Sequence, residues 1–239
     1  MKTTNLILAV LAAAVTAAPS LRAGLVDEYK LTVDVPYVSK YVFRGLQLAK
    51  ASLQPSVEIA TDNTYAGVLA NAPITGGQKN EFDFYAAYDI PLGKELKLDL
   101  GGTEYYYPQG AYATGRHNTS FEAYAGLTGG KLTVAGALPL TPTLYSYYDF
   151  TLRNYTVQGS LGYSLPIKSC PVEFDFNATA GYVGGQTGAD YAFWGGGLTI
   201  PYKLNKNAKL TAGVEYSSSD LTGARHNLVY FSVGALVGF

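Results

Sequence analysis

The sequence is poor in cysteine, in charge and in long apolar runs. Cys170 is the only cysteine among 239 residues, so no disulfide can form within the chain. Charged residues make up 15% of the chain, against about 25% in ordinary soluble domains. Beyond residue 23 no apolar run approaches the roughly 18 to 20 residues that a membrane-spanning helix needs. These absences argue against a disulfide-stapled fold and a helical membrane protein, and the lack of a basic field argues against nucleic acid binding.

The first 23 residues have the pattern of a secretory signal peptide. Lys2 supplies a positive start, an apolar stretch covers 6–18, and small residues follow as far as Ala23. The apolar stretch is too short to span a bilayer. We place cleavage after Ala23, with Ala17 as the alternative. Removing Lys2 and Arg22 takes two positive charges from a net charge of −1 and leaves −3 for residues 24–239.

The sequence is rich in glycine, with 27 residues, and in tyrosine, with 21. Beyond the leader, apolar residues alternate with charged or small ones, as in Phe82, Phe84 and Ala86 against Glu81 and Asp83. The alternating segments run for roughly 9 to 14 residues, which matches the 9 to 11 of a tilted strand that crosses a bilayer and exceeds the usual 5 to 6 of globular strands. The pattern therefore favours membrane-spanning strands over a soluble sandwich.

Two kinds of connection separate these segments. Tight turns carry a proline between apolar residues, at 90–92, 138–140, 165–167 and 200–202. Longer polar loops are predicted at 44–52, 73–80, 109–118, 150–153, 184–189 and 219–227. Regular alternation of short turns and longer loops along the chain is typical of a transmembrane barrel.

We therefore predict an all-β fold for residues 24–239, a single antiparallel transmembrane β-barrel of about twelve strands. The strands are predicted at 30–44, 53–61, 64–72, 81–91, 95–107, 119–138, 143–150, 154–165, 172–183, 190–201, 207–218 and 228–239. The segment 119–138 contains Gly129-Gly130 and is either one bent strand or two; an even count with both chain ends on one side favours one. Tyrosines near strand ends on the outward parity, within 105–107 and 145–148, are predicted to form an aromatic girdle.

The chain ends on an apolar strand pattern whose last residue is Phe239. The pattern of Ser232, Gly234, Val237 and Phe239 resembles the C-terminal signal by which the assembly machinery recognises bacterial outer-membrane barrels. A closed barrel also needs its last strand paired, because a free edge in lipid leaves backbone groups unsatisfied. We expect the bacterial outer membrane as the location, with its lipid and lipopolysaccharide as partners.

The segment Ser39-Lys40-Tyr41-Val42-Phe43-Arg44-Gly45 resembles the Ser-x-Tyr-Val-x-Arg-Gly opening of the TorF family of bacterial outer-membrane porins. Shorter pieces are similar in the family's order, at 65–68, 81–83, 106–108, 122–124 and 147–149. The resemblance covers most of residues 24–239. It implies a pore and names no solute.

The candidate residues for transport are those at inward-facing positions of the predicted strands and the arginines of the predicted loops. The inward set is Lys30, Asp34, Lys40, Arg44, Glu58, Glu81, Asp83, Asp89, Lys97, Asp99, Glu122, Glu173, Asp175, Lys209 and Glu215. The candidate pore or mouth residues are Arg44, Lys40, Arg116, Arg153, Arg225, Glu81, Asp83, Glu122 and Asp175. Arginine forks suit carboxylate and phosphate, and Arg44 lies in the motif that carries the resemblance.

These residues predict a narrow passive pore for small polar or anionic solutes. The alternative is a structural or lipopolysaccharide-binding barrel whose inward charges pair across the lumen and plug it. An outer-membrane lipid hydrolase is a weaker alternative, because His117 and Ser120 are three residues apart and fall on opposite faces of one strand. No cofactor is implied, and the two histidines, His117 and His226, are too few for a metal site without carboxylates.

Overall fold

The computed structural model describes residues 29–110, 118–130, 132–134, 138–186 and 188–239. The predicted signal peptide lies outside the described residues, as do Arg116 and His117. Within the described part of the chain, no helix is long and apolar enough to cross a membrane.

The described residues form β-strands throughout. They are β1 (Lys30–Asp34), β2 (Tyr37–Val38), β3 (Tyr41–Phe43), β4 (Leu46–Ala49), β5 (Ser52–Leu53), β6 (Ser56–Ala60), β7 (Thr64–Pro73), β8 (Glu81–Leu92), β9 (Leu96–Tyr106), β10 (Thr119–Gly129), β11 (Leu132–Val134), β12 (Leu138–Asp149), β13 (Asn154–Pro166), β14 (Glu173–Gly185), β15 (Tyr191–Lys203), β16 (Ala208–Ser219) and β17 (Leu228–Gly238).

Twelve of these strands close a single antiparallel barrel, as the sequence predicts. The order around the wall is β1, β6, β7, β8, β9, β10, β12, β13, β14, β15, β16 and β17, and β17 pairs back with β1. At the loop end of the wall, β2 pairs with β17 and β5, and β5 pairs with β7. The wall is therefore hydrogen-bonded around its whole circumference, which is what a sheet in lipid requires.

The two faces of the wall differ in polarity because successive strand residues point to opposite sides. The outer face carries exposed apolar side chains, for example Phe84 at 50%, Leu144 at 53% and Phe231 at 52% exposure. The inner face carries most of the charged residues of the wall strands; Glu104 of β9, opposite Phe84, is an exception on the outer face. An apolar exterior around a polar interior is the arrangement of barrels that cross a membrane.

The barrel has a loop end and a turn end. The connections after β7, β9, β12, β14 and β16 lie at the loop end, whereas β1 begins and β17 ends at the turn end. The predicted proline turns lie at the turn end, but the strands continue through the prolines. Pro91, Pro166 and Pro201 are each inside or at the last residue of a strand, because a missing N–H is tolerated near a strand end.

The prediction of one strand over 119–138 is wrong. β10 ends at Gly129, and the predicted turn at 138–140 is instead the beginning of β12, where Leu132–Val134 pairs with Leu138–Leu140. The predicted strand 143–150 is accordingly too short. The backbone at Gly130 turns to bond Glu95 in the neighbouring turn, so the glycine pair ends the strand and does not bend it, while the count of twelve is unchanged.

The prediction of one strand over 30–44 is also wrong. The wall strand ends at Val38, and β3 and β4 form a separate two-stranded hairpin that is not hydrogen-bonded to the wall sheet. Its two-residue turn, Arg44-Gly45, has φ values of 47° and 81°. Two positive φ values in succession are those of the tight hairpin turn that matches strand twist. Asn-Gly is the usual sequence of that turn, and because arginine replaces asparagine here, the turn is not evident from the sequence.

The barrel seam supplies the first prediction. Phe239 and Leu31 exchange two backbone hydrogen bonds, with N···O distances of 2.8 and 3.3 Å. Deleting Phe239 removes the ring of the predicted assembly signal and both bonds, so we expect strongly reduced insertion, measured as the membrane-associated, heat-modifiable fraction on electrophoresis. Phe239→Trp keeps an aromatic ring and the backbone bonds and should insert normally. Wild-type insertion of the deletion variant would refute a role for the terminal residue.

Candidate functional site

The hairpin of residues 41–49, here called the inner hairpin, lies inside the barrel and contacts the wall on several sides. The Phe43 ring meets the Tyr105 ring of β9 edge-on, with centroids 6.2 Å apart. Arg44 reaches Glu122 of β10. Gly45 abuts Phe193 of β15 and Ser219 of β16. Contacts with four wall strands place the turn of the hairpin across the lumen near the loop end.

The strongest of these contacts is a two-pronged ion pair, here called the Arg44 lock. Nη1 and Nη2 of Arg44 donate to the two carboxylate oxygens of Glu122 at 2.7 and 2.8 Å. The side chain of Arg44 is 12% exposed and that of Glu122 only 4%. The guanidinium also lies 4.6 Å from the centroids of both the Phe43 and Tyr147 rings, and the Tyr105 hydroxyl donates to Glu122 at 3.1 Å.

The environment keeps Arg44 charged. Burial alone would lower the pKa of the guanidinium, but the hydrogen bonds and the charge of Glu122 outweigh burial, and the pKa is raised above its ordinary value. Arginine suits this position because its planar fork matches a carboxylate and stacks on aromatic rings at the same time. Arg44 is thus already paired within the lumen and does not present a free guanidinium at the mouth.

Gly45 is required at the tip of the hairpin for two reasons. Its φ of 81° is unfavourable for residues with a Cβ. A Cβ at this position would lie 2.7 Å from Cβ of Phe193, 2.8 Å from the Ser218 carbonyl oxygen and 2.9 Å from Cβ of Ser219. These distances are too short, so only glycine lets the tip rest directly against the wall.

The inner hairpin lies between two cavities of the described barrel interior. The loop-side cavity has a volume of about 190 Å³, and its lining includes Arg44, Glu81 and Asp149. The inner cavity has a volume of about 540 Å³ and lies against β8, β9, β16 and β17, with Asp83 and Glu215 in its lining. Phe43 and Tyr105 line both cavities. Their ring pair therefore lies between the two cavities.

Tyrosines on the inner side of the barrel donate hydrogen bonds to most of the buried carboxylates. Asp99 accepts hydrogen bonds from the hydroxyls of Tyr65 and Tyr145, each at 2.9 Å. Glu58 accepts from Tyr85 and Glu81 accepts from Tyr107, each at 3.0 Å. Tyr107 lies beyond the end of β9, and burial together with the charge of Glu81 raises the pKa of its hydroxyl. These tyrosines keep neighbouring carboxylates satisfied inside the wall.

Sequence reasoning missed this tyrosine network. The aromatic girdle predicted within 105–107 and 145–148 includes outward Tyr106 and Tyr148, at 39% and 42% exposure. Tyr105, Tyr145 and Tyr147 instead face the lumen. These three tyrosines could have been predicted to face inward, because each lies an odd number of residues from Tyr106 or Tyr148 in the sequence and such residues in a strand face opposite sides.

Carboxylates outnumber basic groups on the inner face of the described wall. The strand register places the following acids inward: Asp34, Glu58, Glu81, Asp83, Asp89, Asp99, Glu122, Asp149, Glu173, Asp175 and Glu215. The basic residues on that face are Lys30, Lys97, Lys203 and Lys209. Lys97 pairs with Asp89 at 2.8 Å and Lys203 with Glu173 at 3.3 Å.

The remaining candidate residues are distributed along the barrel. Lys40 leads into the inner hairpin, and its ammonium donates to the Val229 carbonyl. Arg153 and Arg225 are exposed in the connections after β12 and β16, so neither shares the buried environment of Arg44. Glu81, Asp83, Glu122 and Asp175 face inward on β8, β10 and β14. The assembly-signal residues Ser232, Gly234 and Val237 lie on β17, which closes the barrel against β1.

Candidate metal ligands and the serine of the hydrolase alternative can be located among the described residues. No group of three or more histidine, cysteine, aspartate or glutamate residues in the described ranges could hold a metal ion. Ser120 faces the lumen and donates to Asp149. A lipid hydrolase needs its serine on the lipid face, so the geometry of Ser120 gives that alternative no support.

The Arg44 lock leads to a prediction about stability. Arg44→Ala leaves the Glu122 carboxylate buried without its cation, which we expect to lower the free energy of unfolding by about 3 to 5 kcal/mol. Arg225→Ala removes an exposed arginine and should change it by less than about 0.5 kcal/mol. Urea unfolding in lipid vesicles, followed by fluorescence of the single tryptophan, Trp194, measures both. Equal effects of the two substitutions would show that the pair does not stabilise the barrel.

Gly45 leads to a prediction about the position of the inner hairpin. Gly45→Ala should push the tip off Phe193 and Ser219 and speed hydrogen exchange in peptides that cover residues 41–49. Gly223→Ala is the matched control, because Gly223 has a φ of 83° and open space where its Cβ would go. Both substitutions carry the same backbone strain, so only the contact with the wall differs. Unchanged exchange in Gly45→Ala would mean that the tip is not held against the wall.

Solved structures of bacterial channels share this fold. The KdgM porin is 14% identical with a TM-score of 0.56, over 87% of this chain and 99% of KdgM. The NanC porin is 13% identical with a TM-score of 0.55, over 87% of this chain and 98% of NanC. The COG4313 outer membrane channel from Pseudomonas putida F1 is 8% identical with a TM-score of 0.55, over 88% of this chain and 95% of that chain. At these identities the likeness shows a shared fold.

The sequence comparisons show the family. No curated protein matches this chain. A family model described as "Bacterial protein of unknown function (Gcw_chp)" matches residues 22–232. That description does not carry the TorF name, so the resemblance to TorF-family porins stays a prediction. Because the match covers most of its length, the chain belongs to the Gcw_chp family of bacterial proteins.

Proposed function

We propose that this protein is a passive pore in the bacterial outer membrane, narrowed by the inner hairpin and used by small polar solutes. The observation that carries the proposal is the closed twelve-stranded wall, apolar outside and polar inside, with an ordered hairpin across its lumen. Twelve strands enclose a lumen wider than that of a filled eight-stranded barrel and narrower than that of a 16-stranded porin. A hairpin in such a lumen restricts the size of what passes.

The charges of the described residues favour cations. The expectation of anionic solutes rested on arginines at the mouth, but Arg44 is neutralised by Glu122 and the inward acids outnumber the inward lysines. A low-dielectric wall lined by one sign of charge concentrates ions of the opposite sign. KdgM has been solved in complex with oligogalacturonate, an acidic sugar chain. We propose that this protein prefers small cations and neutral polar solutes to such anions.

A plugged barrel without transport is the second candidate. It is favoured by the contact of Gly45 with the wall at β15 and β16 and by the burial of the Arg44 lock. Such a barrel would interact with lipopolysaccharide through exposed loop arginines such as Arg153 and Arg225.

In either case, we propose that the barrel assembly machinery recognises the C-terminal signal formed by Ser232, Gly234, Val237 and Phe239.

Removal of the inner hairpin separates the two candidates. Val38 and Ser52 are directly paired in the wall, so an Asn-Gly turn can replace residues 39–51 without opening the sheet. In planar bilayers we expect small discrete current steps from the wild-type protein and larger steps from the variant. The reversal potential in a potassium chloride gradient should show cation preference.

Two controls make the conductance experiment decisive. Deleting residues 222–224 shortens an exposed loop and should leave the conductance unchanged. Heat-modifiable mobility on electrophoresis must show that each variant is folded. Currents only from the hairpin-free variant would establish the plugged barrel, and no current from either folded protein would refute a pore. An anion-selective reversal potential would overturn the proposed cation preference.

A further inference from the structure

We infer that the inner cavity, between the inner hairpin and strands β8, β9, β16 and β17, binds a small organic ammonium ion. The inference rests on the proposed pore function, because the ion would reach the cavity through the lumen. It assigns to that pore a class of solute and a place where the solute binds.

The first support is an unsatisfied acid in the cavity. Asp83 lines the inner cavity, and its Oδ1 atom is shielded from solvent without a hydrogen-bond partner among the described residues. Asp83 makes no ion pair within the described part of the chain. Removing a carboxylate from water without a partner is unfavourable. A ligand that brings a positive charge would satisfy it.

The second support is a carboxylate held in place on the other side of the cavity. Glu215 of β16 lines the cavity and accepts two long hydrogen bonds from Asn177, at 3.3 and 3.4 Å. A Cβ on Gly197 would overlap the Glu215 carboxylate. Glycine at 197 therefore leaves room for the carboxylate to lie against β15, which fixes its position without neutralising its charge.

The third support is the aromatic lining. Rings of Tyr41, Phe43, Tyr85, Tyr105 and Tyr230 surround the cavity. The hydroxyls of Tyr85 and Tyr105 donate to Glu58 and Glu122, neither of which lines this cavity. The hydroxyls of both tyrosines therefore already donate hydrogen bonds to the wall, and a ligand in the cavity would contact their aromatic rings. Aromatic rings together with carboxylates are the combination that recognises organic ammonium ions.

The charge and size of the cavity fit the same ligand. Lys40 is the only basic residue of the described lining, and its ammonium is engaged by the Val229 carbonyl. With both carboxylates ionised, as a bound cation would keep them, the two acids and one ammonium give the lining a net charge of −1. The volume of about 540 Å³ lies within the usual range of small-molecule sites, roughly 300 to 1,000 Å³. Small inorganic cations are strongly hydrated and gain less from the rings, whereas an alkylated ammonium sheds its water easily and uses both features.

Choline is a suitable probe, and 3,3-dimethyl-1-butanol is its neutral analogue of the same shape. Isothermal titration calorimetry on the refolded protein in detergent should show saturable choline binding and no binding of the neutral analogue. Asp83→Asn should weaken choline binding at least about tenfold, the equivalent of one lost charge contact. Asp175→Asn is the matched control, since Asp175 is also an inward aspartate with an unpartnered buried oxygen but does not line the cavity. It should leave binding unchanged.

Each outcome decides the inference. Absence of choline binding to folded wild-type protein would overturn it. Equal binding of the neutral analogue, or of glucose, would indicate an apolar or sugar site and would also overturn it. Equal weakening by Asp83→Asn and Asp175→Asn would show only general attraction by lumen charge, again against a specific site. Calorimetry needs no conduction, so binding by a barrel that passes no current would sustain the site while refuting the pore.

Discussion

The two-pronged pairing of Arg44 with Glu122 anchors the inner hairpin to the wall of this barrel, and the position of the hairpin across the lumen depends on it. The pair offsets the cost of an arginine at positive φ in the turn of the inner hairpin, and it gives a buried carboxylate its cation. Ion pairs removed from water stabilise a structure only when geometry and additional hydrogen bonds are good. Here two parallel hydrogen bonds, two flanking rings and the Tyr105 hydroxyl meet that condition.

The lock also determines the electrostatic character of the lumen. It pairs the one arginine that the motif at 39–45 brings inside, whereas Glu58 of β6, Glu81 of β8 and Asp99 of β9 accept hydrogen bonds from tyrosine hydroxyls. Tyrosine is well suited to this task, because its ring packs against neighbouring rings while its hydroxyl donates to a carboxylate. The abundance of tyrosine in the chain thus has two physical origins, outward rings near the ends of the wall and inward hydroxyl donors.

The wall and the inward side of its charged residues could be predicted from the sequence, but the inner hairpin and its contacts could not. Alternation along segments such as Glu81–Leu92 fixes which residues face lipid, because a strand has a strict two-residue period, and twelve such segments close one barrel. The inner hairpin obeys the same alternation as the wall, so Tyr41 to Phe43 continued the first strand in the prediction. What separates them is the backbone of Arg44-Gly45, and positive φ at an arginine has no reliable sequence signal. Likewise, the partner of Arg44 is 78 residues away along the chain, and a pattern of neighbours cannot identify it.

The direct pairing of Val38 with Ser52 makes the inner hairpin an insertion into a sheet that is already complete. Wall closure and lumen geometry are therefore under separate control within one chain. A change in the length or chemistry of residues 39–51 therefore alters the shape of the lumen and leaves the register of the wall strands as it is. In this architecture the inner hairpin can vary independently of the wall, because the hydrogen bonds that close the wall do not involve it.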